Sequence, residues 1–447
     1  MISSMTNKIS LLLVFLLSPF LNFAQSNNEL VKGIQELMLT HYVFLDKAEE
    51  TNAHLDKLMA NKHFDAFITG EALAKEVTQQ MRKITADKHL SMVPPRAPQK
   101  EEVNKKVPFA QNFSRYYKPM LNEFKYYENN VGYFDMRYFG GGEKSFAEID
   151  VIMKQLAQAD ALIIDMRQNG GGSPRMVQYI CSYFFDTHFL LNSIYNRATD
   201  HTEELWTVPV KGKKRPKVPV YILTSKKTFS AAEDFSYTMQ SKKRATIVGE
   251  TTWGGAHPTR YFRLTDGFGV RIPFARSINP VTNTNWEGVG VIPDEKVAAD
   301  EALEKAKVLA IEGAKNYKNN FFNPLETTLN ALTDKKITKA GEATVLKALE
   351  NILKANMLTE RDINLLGYDY LLSKRTTAAL AIFKSNTELF PNSANVFDSY
   401  GEALAGIGQK ELALINYEKA VKIAAEQKDE DLEAFQQNLK RFQTKNK

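Results

Sequence analysis

Apolar residues change their spacing three times along the chain, and each change marks a different kind of structure. From residue 27 to residue 92 the spacing is helical: Leu30, Ile34, Leu37 and Met38 share one face, as do Leu73, Val77 and Met81. Pro94, Pro95 and Pro98 then stop any helix, and the charged run from Lys100 to Lys106 reads as a linker. From Val131 short β-branched runs alternate with amphipathic stretches. Residues 131–139 predict a strand, 146–157 a helix, 161–166 a buried strand, 176–185 a helix, 218–223 a strand, 230–239 a helix and 245–248 a strand. Such alternation predicts an α/β domain with largely parallel pairing. Short strands are expected at 261–264, 268–272 and 289–292, and beyond Ala298 the pattern is helical to the end.

That tail contains an internal repeat. Gly367 and Gly401 stand 34 residues apart, and at the same offset Ala379 matches Ala413, Phe383 matches Tyr417 and Leu389 matches Ile423. The period resembles the tetratricopeptide repeat, a helix–turn–helix unit with small residues where its helices touch; a degenerate copy is expected around 344–355. An ordinary helical bundle is the competing reading.

The amino terminus modifies this picture. Lys8 precedes the apolar run from Ile9 to Leu17, and small residues lead to Ala24. This is the pattern of a secretory signal peptide cleaved after Ala24, so the protein is expected to be exported, periplasmic or extracellular, with no integral membrane segment after cleavage. The run is short for a span of about 20 residues. Cys181 is the only cysteine, so no intrachain disulfide can form and stability has to come from core burial. A net charge of +6 over 447 residues is mild, and no basic groove interleaves with aromatics, which argues against nucleic acid as a partner.

Three features carry candidate chemistry. Ser230 falls where strand gives way to helix, so its hydroxyl meets first-turn N–H groups able to hold charge on an attacked carbonyl oxygen. The competing reading is a helix cap, with Glu233 completing a capping box. Asn169-Gly170-Gly171-Gly172 follows a buried strand, so its backbone can approach a ligand with no Cβ in the way. It has neither a Walker pattern nor GxGxxG, and a plain flexible loop is the alternative. His89 and His257, with acidic neighbours, could activate a serine, which is a poor nucleophile until a base takes its proton. None of the seven histidines has metal-ligand spacing; no metal or organic cofactor is expected.

The pairing of LIIDMRQNGGG (162–172) with the stretch from Val220 through Ser230-Ala-Ala-Glu to Pro258 resembles the C-terminal processing (tail-specific) serine peptidases. Asp87-Lys88-His89-Leu90 upstream and Trp286-Glu287-Gly288 downstream resemble the tricorn-core and interphotoreceptor-retinoid-binding-protein branch. The resemblance implies a crotonase-like ββα spiral core at residues 107–300 and an N-terminal helical domain at 25–96; the helical repeat domain read from the 34-residue period follows at 320–447. It implies Ser230 as nucleophile, His89 as general base and Glu287 as the acid that orients it. Ala231 and Gly171 would form the oxyanion hole, with Gly170, Gly172 and His257 at the substrate. Peptides or unfolded proteins would be substrates, and the repeat domain could bind a peptide or partner protein.

This chain departs from that pattern. Thr252-Trp-Gly-Gly-Ala256 carries no lysine where the serine–lysine branch has one, and Lys88 stands where a relay hydroxyl would, leaving Ser91 or water as substitutes. The stretch 97–130 is too short for a PDZ domain. His257 is the rival base. A ligand-binding relative without catalysis, or a scaffold working through its repeats, would share these outlines.

Overall fold

The computed structural model describes residues 27–95, 119–186, 188–332 and 338–446. The expected signal peptide and the linker at 100–106 lie outside them. The chain divides into two compact units, Met1–Ile311 and Glu312–Lys447.

In the first unit, helices α1 (27–41), α2 (Leu45–Ala60) and α3 (Gly70–Thr85) are followed by a short strand, β1 (Ser91–Val93). Thr69 caps α3 by accepting the N–H of Ala72. These helices are not a free-standing bundle. Ile34, Leu55, Val77 and Met81 share one core with Phe268, Val270 and Ile272. β1 pairs antiparallel with β10 (Gly269–Pro273), which pairs with β9 (Thr259–Arg263).

The centre of the unit is a six-stranded sheet ordered β12-β8-β7-β4-β3-β2. Here β2 is Leu121–Tyr127, β3 Val131–Met136, β4 Ala161–Asp165, β7 Val220–Thr224, β8 Thr246–Gly249 and β12 Glu295–Lys296. All pairs are parallel except β2 with β3. Every residue of β3 and β4 is buried, as sequences apolar on both faces require. Helix α4 (Glu143–Gln155) joins β3 to β4; α5 (Pro174–Cys181) follows β4, and α6 (Ala231–Ser241) links β7 to β8. Because β4 and β7 run parallel, the loops leaving their carboxyl ends emerge side by side, which is where open α/β sheets bind ligands.

A third sheet, β11-β5-β6, comprises β5 (Leu190–Asn196), β6 (His201–Trp206) and β11 (Ala275–Ile278). The expected strand at 289–292 is absent: Gly288 and Gly290 take φ of +74° and +76°, which breaks an extended run, and Val289 and Ile292 are exposed loop residues.

The second unit continues from α7 (Ala302–Ala331), within which the boundary falls, into α8 (Lys339–Lys354), α9 (Glu360–Leu372), α10 (Thr376–Leu389), α11 (Ala394–Gly406), α12 (Lys410–Gln427) and α13 (Leu432–Lys445). A Cβ on Gly367 would stand 2.7 Å from the Phe383 ring, and one on Gly401 3.2 Å from the Tyr417 ring, so the two glycines let their helices pack against equivalent aromatics.

Candidate active site

The two loops at the carboxyl ends of β4 and β7 are laced together. Phe229 donates its N–H to the Asn169 carbonyl at 3.1 Å, Thr228 Oγ1 donates to the Met166 carbonyl at 2.8 Å, and Ser225 Oγ donates to the Arg167 carbonyl at 2.6 Å. Arg167 is clamped by Asp165 and by the Ala299 carbonyl, so this pair builds the loop. Gly171 lies so close beneath the serine turn that a Cβ there would be 2.8 Å from Ser230 Cβ and 2.9 Å from Ala231 N.

Ser230 occupies the N-terminal turn of α6 with φ 57° and ψ −117°. That is a strained conformation for a residue with a Cβ, of a kind held only where the surroundings fix it. Glu233, fully buried, supplies the restraint. Its Oε2 accepts the N–H groups of Ser230 at 2.8 Å and Gly255 at 2.9 Å, and its Oε1 accepts Thr252 Oγ1 and Gly254 N–H, each at 2.5 Å. Burial pushes the Glu233 carboxyl up, and these four donors act against that. Glu233 therefore forms one half of the capping box legible in the sequence, and also fixes the loop carrying Gly254 and Gly255.

A cavity of about 220 Å³ opens at Ser230, and His89, Gly172, Ala231 and His257 all line it. The His89 ring stacks on Phe229, centroids 4.5 Å apart. Its Nδ1 is buried with no hydrogen-bond partner, and burial lowers its pKa to about 4. The loop carrying it is pinned by Arg82, which donates to the carbonyls of Lys88 and Leu90. The Lys88 ammonium donates to the Trp253 carbonyl.

His257 sits among acids. Its Nδ1 lies 2.7 Å from Asp87 Oδ2 and 3.5 Å from Glu287 Oε2. Burial alone would depress this imidazole, but the hydrogen bond and charge of Asp87, helped by Glu287, leave its pKa raised. Asp87 also accepts the backbone N–H of His89 at 3.0 Å and the Tyr42 hydroxyl at 3.3 Å, so one carboxylate organises both histidines. Glu287 accepts the Ala256 N–H at 2.5 Å, and its Oε1 is buried without a partner. The structure thus sets Glu287 against His257, whereas the family pattern pairs it with His89. Asp87, His257 and Glu287 offer three donor atoms within 4.8 Å of one another. The 2.7 Å contact is a hydrogen bond, tighter than the spacing of two ligands each about 2.0–2.2 Å from a shared zinc.

The glycine loop is also more specific than its composition. The Gly171 N–H is already donated to Asn169 Oδ1 at 2.9 Å, so it is not free for an oxyanion as it stands. Gly172, on the cavity wall with φ +144°, has an N–H with no acceptor among the described residues. Gly170 is exposed and away from the cavity lining. Sequence reasoning gave Asp87 no role of its own and Glu233 only that of a helix cap. The DKH and SAAE stretches held them, but a carboxylate's partners 19 to 170 positions away leave no local trace.

Residues 130–297 match the description "Peptidase family S41", and residues 19–123 match "N-terminal domain of Peptidase_S41 in eukaryotic IRBP". Over 170 residues the chain is 28% identical to the carboxyl-terminal-processing protease of Synechocystis, covering 38% of each protein. It is 26% identical over 165 residues to the chloroplastic carboxyl-terminal-processing peptidase 2 of Arabidopsis thaliana, covering 37% of this chain and 31% of that one. The chain therefore spans well under half the length of these relatives. A solved photosystem II D1 C-terminal processing protease superposes with a TM-score of 0.32 at 23% identity, over 38% of this chain and 43% of that one. Residues 130–297 are thus similar to peptidase family S41.

Proposed function

We propose that the protein is an exported serine endopeptidase that hydrolyses peptide bonds through an acyl-enzyme on Ser230. The observation that carries this reading is the strained Ser230 at the N-terminus of α6, opening into a cavity shared with two histidines. His89, kept neutral by burial, takes the Oγ proton as Oγ bonds the substrate carbonyl carbon. The oxygen that becomes negative is received by the Ala231 N–H, at the positive end of α6, and by an N–H of the glycine loop. Gly172 offers the free one; Gly171 would first have to release Asn169. Collapse breaks the C–N bond, the histidine proton leaves with the amine, and water repeats the sequence to free the acid and restore Ser230. Glu287 acts on the histidine pair through its contact with His257 and its hold on Ala256.

A second assignment exchanges the histidines, with His257 as base and Asp87 orienting it. It is favoured by the 2.7 Å Asp87–His257 contact, the Asp–His arrangement that a serine base commonly has. The repetition of strand and helix from β3 to β8 supports a crotonase-like core, and the equivalent glycine–aromatic contacts at Gly367 and Gly401 support tetratricopeptide-like hairpins. Their groove would hold a peptide or partner protein.

Reaction with a serine-directed fluorophosphonate tests the proposal. Labelling of the wild-type chain that disappears in Ser230→Ala is expected. An unlabelled but folded wild-type protein would leave a binding protein in place of an enzyme.

A further inference from the structure

We infer that the cavity beside Ser230 receives the side chain on the acyl side of the scissile bond, and that Asp234 makes it selective for lysine or arginine. The inference rests on the serine-peptidase reading. Asp234 lies four residues beyond Ser230, one turn along α6, and lines the same cavity between that helix and the β5–β11 sheet. It is 6% exposed. Both of its side-chain hydrogen bonds go to Oδ1, from Asn192 Nδ2 at 2.9 Å and from Thr238 Oγ1 at 3.3 Å. Oδ2 receives none. No lysine, arginine or histidine lies within ion-pair distance of the carboxylate among the described residues. Lys242, whose charge reaches it, instead sits over the Phe189 ring at 5.4 Å.

A buried carboxylate with one oxygen unmatched and no cation is costly. Its pKa is pushed up to about 7 by burial, the same cost seen from the proton's side. A carboxylate serving only to brace Asn192 would not need to face a cavity. An ammonium or guanidinium entering beside Ser230 would supply the missing charge and the donor for Oδ2. Ile194 and Trp286, also on the cavity wall, give the methylene stem of such a side chain an apolar path to the acid.

The test uses the full chain and two peptidyl diphenyl phosphonates that differ only in the residue next to phosphorus, lysine in one and norleucine in the other. Labelling forms a Ser230 Oγ–P bond as phenoxide leaves with the proton, so its rate reports pocket fit without requiring turnover. The lysine reagent is expected to label at least roughly tenfold faster, the scale of one charge-assisted contact. In Asp234→Asn, which keeps the shape and can still accept from Asn192, that preference should vanish, the lysine reagent falling to the norleucine rate of the same variant. Equal wild-type rates, or labelling by fluorophosphonate but by neither peptide reagent, overturns the inference and leaves the peptidase site standing. Failure of all three reagents removes both. The wild-type comparison decides even if the variant fails to fold.

Discussion

Glu233 Oε2 accepts the backbone N–H of Ser230 at 2.8 Å, so the residue that caps the helix also fixes the strained torsion of the proposed nucleophile. The same carboxylate takes the N–H groups of Gly254 and Gly255. It thereby ties the serine turn to the loop that passes His89, since a Cβ on Gly255 would stand 2.7 Å from His89 Cε1.

Glu233→Gln replaces one acceptor oxygen by an NH₂ facing donors. With hydrogen bonds to charged groups contributing about 1.5–3 kcal/mol each, the variant should lose roughly 2–4 kcal/mol of stability. It should also lose most fluorophosphonate reactivity at temperatures where it remains folded. Chemical denaturation and labelling rate check the two effects. Unchanged stability would mean that the carboxylate is not the restraint described.

The two histidines make opposite demands on pH. The base must be neutral, so activity is lost as pH falls through its pKa in the folded protein. Burial holds His89 at about 4, whereas Asp87 and Glu287 hold His257 above its ordinary 6.5. If His89 is the base, the acid limb of kcat/KM lies near pH 4; if His257 is, the limb lies above 6.5. A pH–rate profile with a small peptide separates them. Paired with it, His89→Ala should abolish turnover and His257→Ala should lower it less.

How much of this was open to sequence reading follows from chemistry that is local and chemistry that is not. β4 and β7 are buried on both faces and announce themselves as apolar runs, and α6 begins at a capping pattern. The β5–β6 hairpin was silent. β6 is largely solvent-facing and reads His-Thr-Glu-Glu-Leu-Trp, with too few apolar positions to show a period of two, and β5 reads Leu-Leu-Asn-Ser-Ile-Tyr-Asn, whose buried pair Leu191 and Asn192 stands side by side instead of alternating. The partnership of Asp87 with His257 spans 170 positions, and only the fold brings the two together. The pairing of Glu287 with His257 rather than His89 is legible only in three dimensions for the same reason.

The glycine loop offers a contrast between neighbours. A Cβ at Gly171 would lie 2.7 Å from the Phe229 carbonyl and 2.8 Å from Ser230 Cβ, on a residue with φ of +98°; at Gly170 nothing stands within 4 Å. Gly171→Ala should therefore push the serine turn out of position and, by carrying the Ala231 N–H away from the oxyanion, cut Ser230 labelling by at least roughly a hundredfold. Gly170→Ala should leave it within about twofold, as surface changes usually do. Similar losses in both variants would show that the loop acts through flexibility and not through its fit beneath Ser230.

The second unit can be tested without touching the first. A Cβ on Gly367 meets three atoms of the Phe383 ring within 3.0 Å, and Phe383 is fully buried against Ala379 and Ala403. The ring is walled in, so Gly367→Ala cannot be absorbed by a rotamer change. Overpacking of this kind costs about 1–3 kcal/mol. Because the crowding lies wholly within Glu312–Lys447, unfolding followed by hydrogen exchange should show lower protection in α9 and α10 with β4 and β7 unchanged. Small-substrate cleavage and Ser230 labelling should stay at the wild-type level, while capture of an unfolded protein substrate falls if the hairpins form its groove. Loss of labelling in step with loss of α9 protection would mean that the two units do not stand independently, and the assignment of separate roles to them would fail.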